Sequence, residues 1–369
     1  TVTGVQTCAL PISSRAARSE ALMPANPQMP ESDGPVRPLE DLPLDGLHVA
    51  VAAPSRQLLT PEGEVDDALL EKGLRWLETQ GASATLFGVM RSVGRFSDTD
   101  EARALAWMRA ATSDADLVLA LRGGYGMTRL LRRFDWSALA ESKIPAMGFS
   151  DFTAYQAALW TKTGRASWHG PTLSSFAHLV NTPDAPATLN AASVEAFFVA
   201  AKTTPEAWPG FSWKTASADA WSFTQRGLLW GGNLAMVTSL VGTPWLDAER
   251  MSGGILYLED VGESAYRIER MLLQLADAGI LGHQRAVLLG NFAGADRAAK
   301  WTNDFRLADA VAFIRSILPA GTALVSDFPI GHGAERRAVP FGVEAELTVG
   351  EGRAHLASVG ALLEGGLSS

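Results

Sequence analysis

The chain carries one cysteine in 369 residues, and that one, Cys8, lies in an opening stretch, TVTGVQTCALPIS, unlike anything that follows. The stretch reads as a translated sequencing-library adapter and is set aside from fold reasoning. What remains has no cysteine, which excludes a disulfide framework, a thiol nucleophile and thiolate metal ligation. No apolar run reaches the roughly 18 residues that cross a bilayer, so no membrane partner is expected. Basic blocks are missing too. With 31 Lys+Arg against 40 Asp+Glu, the formal net charge is −9 and the pI about 5.2. That argues against a nucleic-acid partner. There is no H-E-x-x-H and no close histidine pair, so no metal is expected. G-x-G-x-x-G and the P-loop Lys-Ser/Thr are also absent, and no cofactor is expected.

What is present is globular composition, 47% hydrophobic and 19% charged with 11 Trp, over a length that suggests two domains. Residues 1–45 read as a disordered or artefactual extension, with Met23 or Met29 as the start. No apolar leader is visible, which suits a cytoplasmic protein. Residues 46–190 alternate apolar runs with helical patterns. Strands are expected in GLHVAVAAPSR (46–56), SATLFGV, DLVLALRGGYG and IPAMGF. Helices are expected over 64–81, DTDEARALAWMRAATSDA, MTRLLRRFDWSAL and DFTAYQAALWTKTG. This is the rhythm of βαβ units on a parallel sheet, whose ligands bind at the strands' carboxyl ends. The rhythm breaks over 191–226, expected as a linker with one short helix. Residues 227–369 read as an α+β domain. There, Ile268, Met271, Leu272 and Leu275 face inward on an amphipathic helix, and the last stretch alternates like β hairpins.

Ser150, in AMGFSDFTAY (146–155), sits where a strand turns into a helix. It can be a nucleophile on a sharp elbow or the N-cap of the helix, and the local pattern favours the cap, since Phe152 holds the last glycine position of G-x-S-x-G. The Asp151 N–H at that helix start would face a developing oxyanion, and RGGYG (122–126) offers a second donor, Gly124. The same glycines also suit a plain βα turn. Of the histidines at 48, 169, 178, 283, 332 and 355, His169 (WHGP) and His332 (IGHG) have the most suggestive settings. Glu259, Asp260 and Glu263 in LYLEDVGE are candidate carboxylates to orient a catalytic histidine.

LRGGYGMTRLL, GFSDFTAYQAALW, HGP, GGNLAMVTSLVGTPW, LEDVGESAYRIERMLLQL and FPIGHG occur in one order and spacing. Together they resemble the serine LD-carboxypeptidase family (muramoyltetrapeptide carboxypeptidases, with microcin-C immunity peptidases among the relatives), over roughly residues 46–362. The resemblance implies a flavodoxin-like N-terminal domain and a C-terminal domain, with the active site in the cleft between them. It implies a triad of Ser150, Glu259 and His332, an oxyanion hole of the Gly124 and Asp151 N–H groups, and Asn233 on the substrate side. The implied substrate is a murein tetrapeptide that loses its terminal D-alanine. A cation should hold that residue's carboxylate, with Arg122, Arg267 or Arg336 the choices. A cytoplasmic homodimer acting in wall recycling is implied as well. Two alternatives stand beside this reading. One is an immunity peptidase cleaving aminoacyl or peptidyl nucleotides, with Trp160, Trp168, Trp230 or Trp245 stacking the base. The other is a non-catalytic peptide-binding protein.

Overall fold

The computed structural model describes residues 44–88, 91–177, 179, 189–219, 222–301 and 303–365. Nearly all of the expected extension, with Cys8, Met23 and Met29, lies outside the described residues, as does His178.

The N-terminal half runs β1 (His48–Ala52), α1 (Asp67–Thr79), β2 (Ser83–Phe87), α2 (Asp100–Ala111), β3 (Leu117–Ala120), α3 (Met127–Leu130), α4 (Trp136–Glu141), β4 (Ala146–Gly148), α5 (Thr153–Thr163), β5 (Ser167–His169) and α6 (Leu173–Ala177). Helix starts follow from local chemistry. Asp66 accepts from the Leu69 N–H at 2.8 Å, and Thr99 from that of Ala102 at 3.2 Å. The stretch expected as one helix over 127–139 is two, because Asp135 caps α4 by accepting from Ser137 and Ala138. Strands β1 to β5 are all parallel in the order β2-β1-β3-β4-β5. This is the flavodoxin-like arrangement, and its direction reverses between β1 and β3, where such sheets bind ligands.

The chain continues through α7 (Ala191–Lys202), β6 (Phe211–Lys214), β7 (Phe223–Asn233), α8 (Leu234–Leu240), β8 (Ile255–Val261), α9 (Ala265–Asp277), β9 (Ala286–Ala293), α10 (Leu307–Ile317), β10 (Ala323–Val325), β11 (Val339–Phe341), β12 (Val343–Gly350), β13 (Arg353–Ser358) and α11 (Val359–Gly365). The second sheet is ordered β10-β9-β8-β7-β12-β13-β6. Its β10-β9-β8-β7 half is parallel and the remainder antiparallel. On α9, Ile268, Leu272 and Leu275 are buried and Met271 partly so.

Two strands depart from the sequence reading. Residues 191–226, expected as a linker, contain α7 and also β6, which forms the outer edge of the second sheet by pairing with β13. Four residues after Pro209-Gly210 are too few for alternation to register, so the segment reads as a turn. Strand β11 leaves the C-terminal half and pairs antiparallel with β5 at the edge of the first sheet. It lies in the last stretch, expected as hairpins, and its central Pro340 is tolerated because the strand sits at a sheet edge.

Candidate active site

The turn that carries Ser150 begins where β4 ends. Ser150 has φ +63°, a left-handed backbone that a side chain adopts at a cost of about 1–3 kcal/mol. Two glycines make room for it. A Cβ on Gly148 would stand 2.6 Å from the Phe152 ring, and one on Gly123 would stand 3.0 Å from the Ser150 Cβ. The turn opens as a short 3₁₀ helix, Ser150–Phe152, before α5, and Ser150 caps neither. Among the described residues its hydroxyl has no hydrogen-bond partner. The capping reading is therefore not what the geometry supports; the strained backbone presents the hydroxyl instead.

Two further candidates, Glu259 and His332, come from the C-terminal half. Glu259, on β8, is wholly buried, and His332, in the loop after β10, is 17% exposed; Glu259 Oε2 lies 2.7 Å from His332 Nδ1. Burial works to raise the Glu259 carboxyl, yet attraction to the His332 ring and the hydrogen bond from it hold the carboxyl below its ordinary value. A carboxylate facing Nδ1 fixes the proton there and leaves Nε2 as a lone-pair acceptor. Gly331, at φ +118°, lets the chain turn beside the acid; a Cβ there would meet the Asn291 carbonyl at 2.9 Å.

Ser150 and His332 line one cavity of about 170 Å³, together with Arg122, Gly124, Ser175 and Arg336. None of its lining residues is acidic. Gly124 has φ +117°, and a Cβ on it would clash with that of Arg56 at 2.8 Å. Arg122 donates to the Gln57 carbonyl at 3.2 Å. Arg336 is buried over the Phe149 ring at 4.2 Å, and burial pushes its guanidinium down to about 10. It donates to the Gly331 carbonyl at 2.9 Å and to Ser175 Oγ at 2.9 Å. A larger cavity of about 560 Å³ lies beside β2 and α2, away from these groups.

Other candidates fall elsewhere. Asn233, expected on the substrate side, is buried behind Glu259. Its Nδ2 is 3.4 Å from Glu259 Oε1, its Oδ1 caps α8 through the Met236 N–H, and its own N–H donates to Thr153 Oγ1 at 3.0 Å. Asp260 also serves α8, accepting from the Ala235 N–H at 2.9 Å, and burial pushes its carboxyl up to about 6. Arg267 pairs with Glu263 on an exposed turn of α9 and does not line the cavity. His169 is fully buried, 3.4 Å from Gln156 Oε1, and burial pushes it down to about 4, so it stays neutral beneath the site. The sequence reading did not single out Ser175, which links Arg336 to the cavity wall, or Thr153. The hydroxyl of Thr153 ties α5 to the end of β7, and a serine or threonine in a helix carries no signal of that kind.

Residues 49–170 match the family model of the LD-carboxypeptidase N-terminal domain, and residues 226–347 match that of its C-terminal domain. Murein tetrapeptide carboxypeptidase of Pseudomonas aeruginosa is 30% identical over 310 residues, spanning 83% of this chain and 94% of that protein. The crystal structure of muramoyltetrapeptide carboxypeptidase from Oxalobacter formigenes is 32% identical with a TM-score of 0.70, covering 83% of this chain and 98% of that one. The microcin C7 self-immunity protein MccF shares the fold, with a TM-score of 0.69 at 18% identity over 85% of this chain and 96% of that one.

Proposed function

The chain belongs to the LD-carboxypeptidase family, and from that premise we propose that it is a serine peptidase removing the terminal D-alanine from murein tetrapeptides in wall recycling. One observation carries the proposal: His332, paired with Glu259 at 2.7 Å, lines the same cavity as the strained Ser150.

His332 Nε2 takes the proton from Ser150 Oγ as the oxygen attacks the carbonyl of the diaminopimelate L-centre. Glu259 holds the ring and offsets the imidazolium charge. The Gly124 and Asp151 N–H groups receive the tetrahedral oxyanion. His332 then protonates the departing D-alanine amine, and water attacks the acyl-enzyme by the same base. Arg122, a cation on a wall without acids, holds the D-alanine carboxylate. The domains cooperate: residues 46–190 bring the nucleophile, and the C-terminal part brings Glu259 and His332. The enzyme works as a cytoplasmic homodimer, and sedimentation at twice the chain mass tests the dimer.

Cleavage of an aminoacyl nucleotide is disfavoured by the tryptophans. Trp160, Trp168 and Trp230 are buried in packing, and Trp245 is partly buried beside Trp136 at 5.9 Å. None of the four lines the cavity. Purified murein tetrapeptide and a peptidyl nucleotide, offered in parallel to wild type and Ser150→Ala, test the reading. D-alanine release by wild type alone is expected. Release by the variant, or turnover of the nucleotide only, would overturn it.

A further inference from the structure

The side chain of Asp151 has no part in the chemistry above, yet it joins three segments of chain. It is 1% exposed. One oxygen, Oδ2, accepts from Ser55 Oγ at 2.6 Å and from the Met127 N–H at 2.8 Å. Ser55 lies in the loop after β1. Met127 opens α3, directly after the glycine-rich turn. The other oxygen, Oδ1, has no partner among the described residues.

The glycine turn needs such a tie. Gly124 and Gly126 have φ of +117° and +143°, where glycine moves with little steric restraint. Gly126 is also the N-cap of α3 and offers no side chain to its first N–H groups. The Met127 N–H is therefore satisfied by a residue of the nucleophile turn. An apolar side chain at 151 would leave two buried donors unpaired, which costs more than the net worth of the hydrogen bonds themselves.

We propose that the Asp151 carboxylate is a positioning residue: through Oδ2 it holds the 122–127 turn against the nucleophile turn and so fixes the spacing between the Gly124 and Asp151 N–H donors. Its catalytic half rests on the acyl transfer proposed above; its structural half does not. Asparagine can present its single oxygen to both donors and place its amide where Oδ1 stands. Leucine cannot accept at all.

The test compares Asp151→Leu and Asp151→Asn with wild type by amide hydrogen exchange of residues 123–130 and by D-alanine release. Asp151→Leu is expected to exchange at Met127 at least about tenfold faster. Its kcat is expected to fall about 10²-fold, as for loss of an oxyanion donor, with KM within about threefold of wild type. Asp151→Asn rescues at least about tenfold of that kcat and restores slow exchange. Unchanged exchange in Asp151→Leu overturns the proposal whatever the substrate, and so does a kcat loss that asparagine fails to recover. A wild-type protein inert towards murein peptide would sink the substrate assignment alone, and the exchange arm would still decide the tie. If Asp151→Leu does not fold, Ser55→Ala removes one of the two donors. It is expected to lower kcat about fivefold at unchanged KM, and an unaltered kcat overturns the proposal.

Discussion

Replacing Glu259 by glutamine keeps the side chain's volume and removes its charge. In the native site both carboxylate oxygens face donors, His332 Nδ1 at 2.7 Å and Asn233 Nδ2 at 3.4 Å. Glutamine has one oxygen. If that oxygen meets His332, its amide confronts the amide of Asn233. If it meets Asn233, its NH₂ faces Nδ1, the ring proton moves to Nε2, and the lone pair needed for Ser150 is gone. In both cases the imidazolium formed during attack loses its counter-charge. At an effective dielectric of about 20, a unit pair this close is worth roughly 4–6 kcal/mol. That corresponds to about 10³–10⁴ in rate, the order found when the acid of a Ser-His-Asp triad is made neutral. The assay is D-alanine release, with circular dichroism to establish folding. Glu259→Gln is expected to lose about 10³–10⁴ in kcat with KM within about threefold, because Glu259 is buried away from substrate. A folded variant keeping more than about one-tenth of the wild-type kcat would refute the reasoning.

Gly124→Ala places a methyl group against the Arg56 side chain at a φ of +117°; steady-state kinetics should show kcat down by about 10²–10³ as the donor swings away. Arg122→Gln removes the proposed carboxylate anchor, and KM for tetrapeptide should rise about 10- to 100-fold while kcat changes less; an unchanged KM would move the anchor to Arg336. Burial pushes the Asp151 carboxyl from 3.8 up to about 6, so between those values the native state keeps a proton that the unfolded chain has lost. Ionisation therefore costs the wild type stability as pH rises through that window, by up to roughly 3 kcal/mol. Asp151→Asn escapes this cost. In urea unfolding its stability relative to wild type should climb by up to that ~3 kcal/mol between pH 4 and 7, and a pH-independent difference would contradict the burial argument.

The parallel first sheet was legible because apolar runs alternate with helix-forming stretches, two of which, α1 and α2, open on the capping residues Asp66 and Thr99. β6 was not, because it follows Pro209-Gly210 in a stretch of turn residues, and β11 fell inside the stretch expected as hairpins without any sign that it pairs with β5 of the first sheet. At the site, the strand-to-helix turn at Ser150 was visible as a pattern, but its positive φ was not, since that backbone is imposed by Gly123, Gly148 and the Phe152 ring together. His332 and Glu259 are 73 residues apart in sequence and stand on different elements. Only the set of motifs, not any local rule, paired them. Asn233 was placed on the substrate side only by what the family resemblance implies. Its neighbours in space are Glu259 and Thr153.

The central claim is that Ser150 becomes covalently acylated with His332 as its base. It is tested most directly by peptide mass spectrometry after reaction with a peptidyl fluorophosphonate, whose phosphorus stands in for the scissile carbonyl. One phosphonyl group on the peptide containing Ser150 is expected, absent in Ser150→Ala and formed far more slowly in His332→Ala. Phosphonylation at another residue, or adduct formation at an equal rate without His332, would contradict the account.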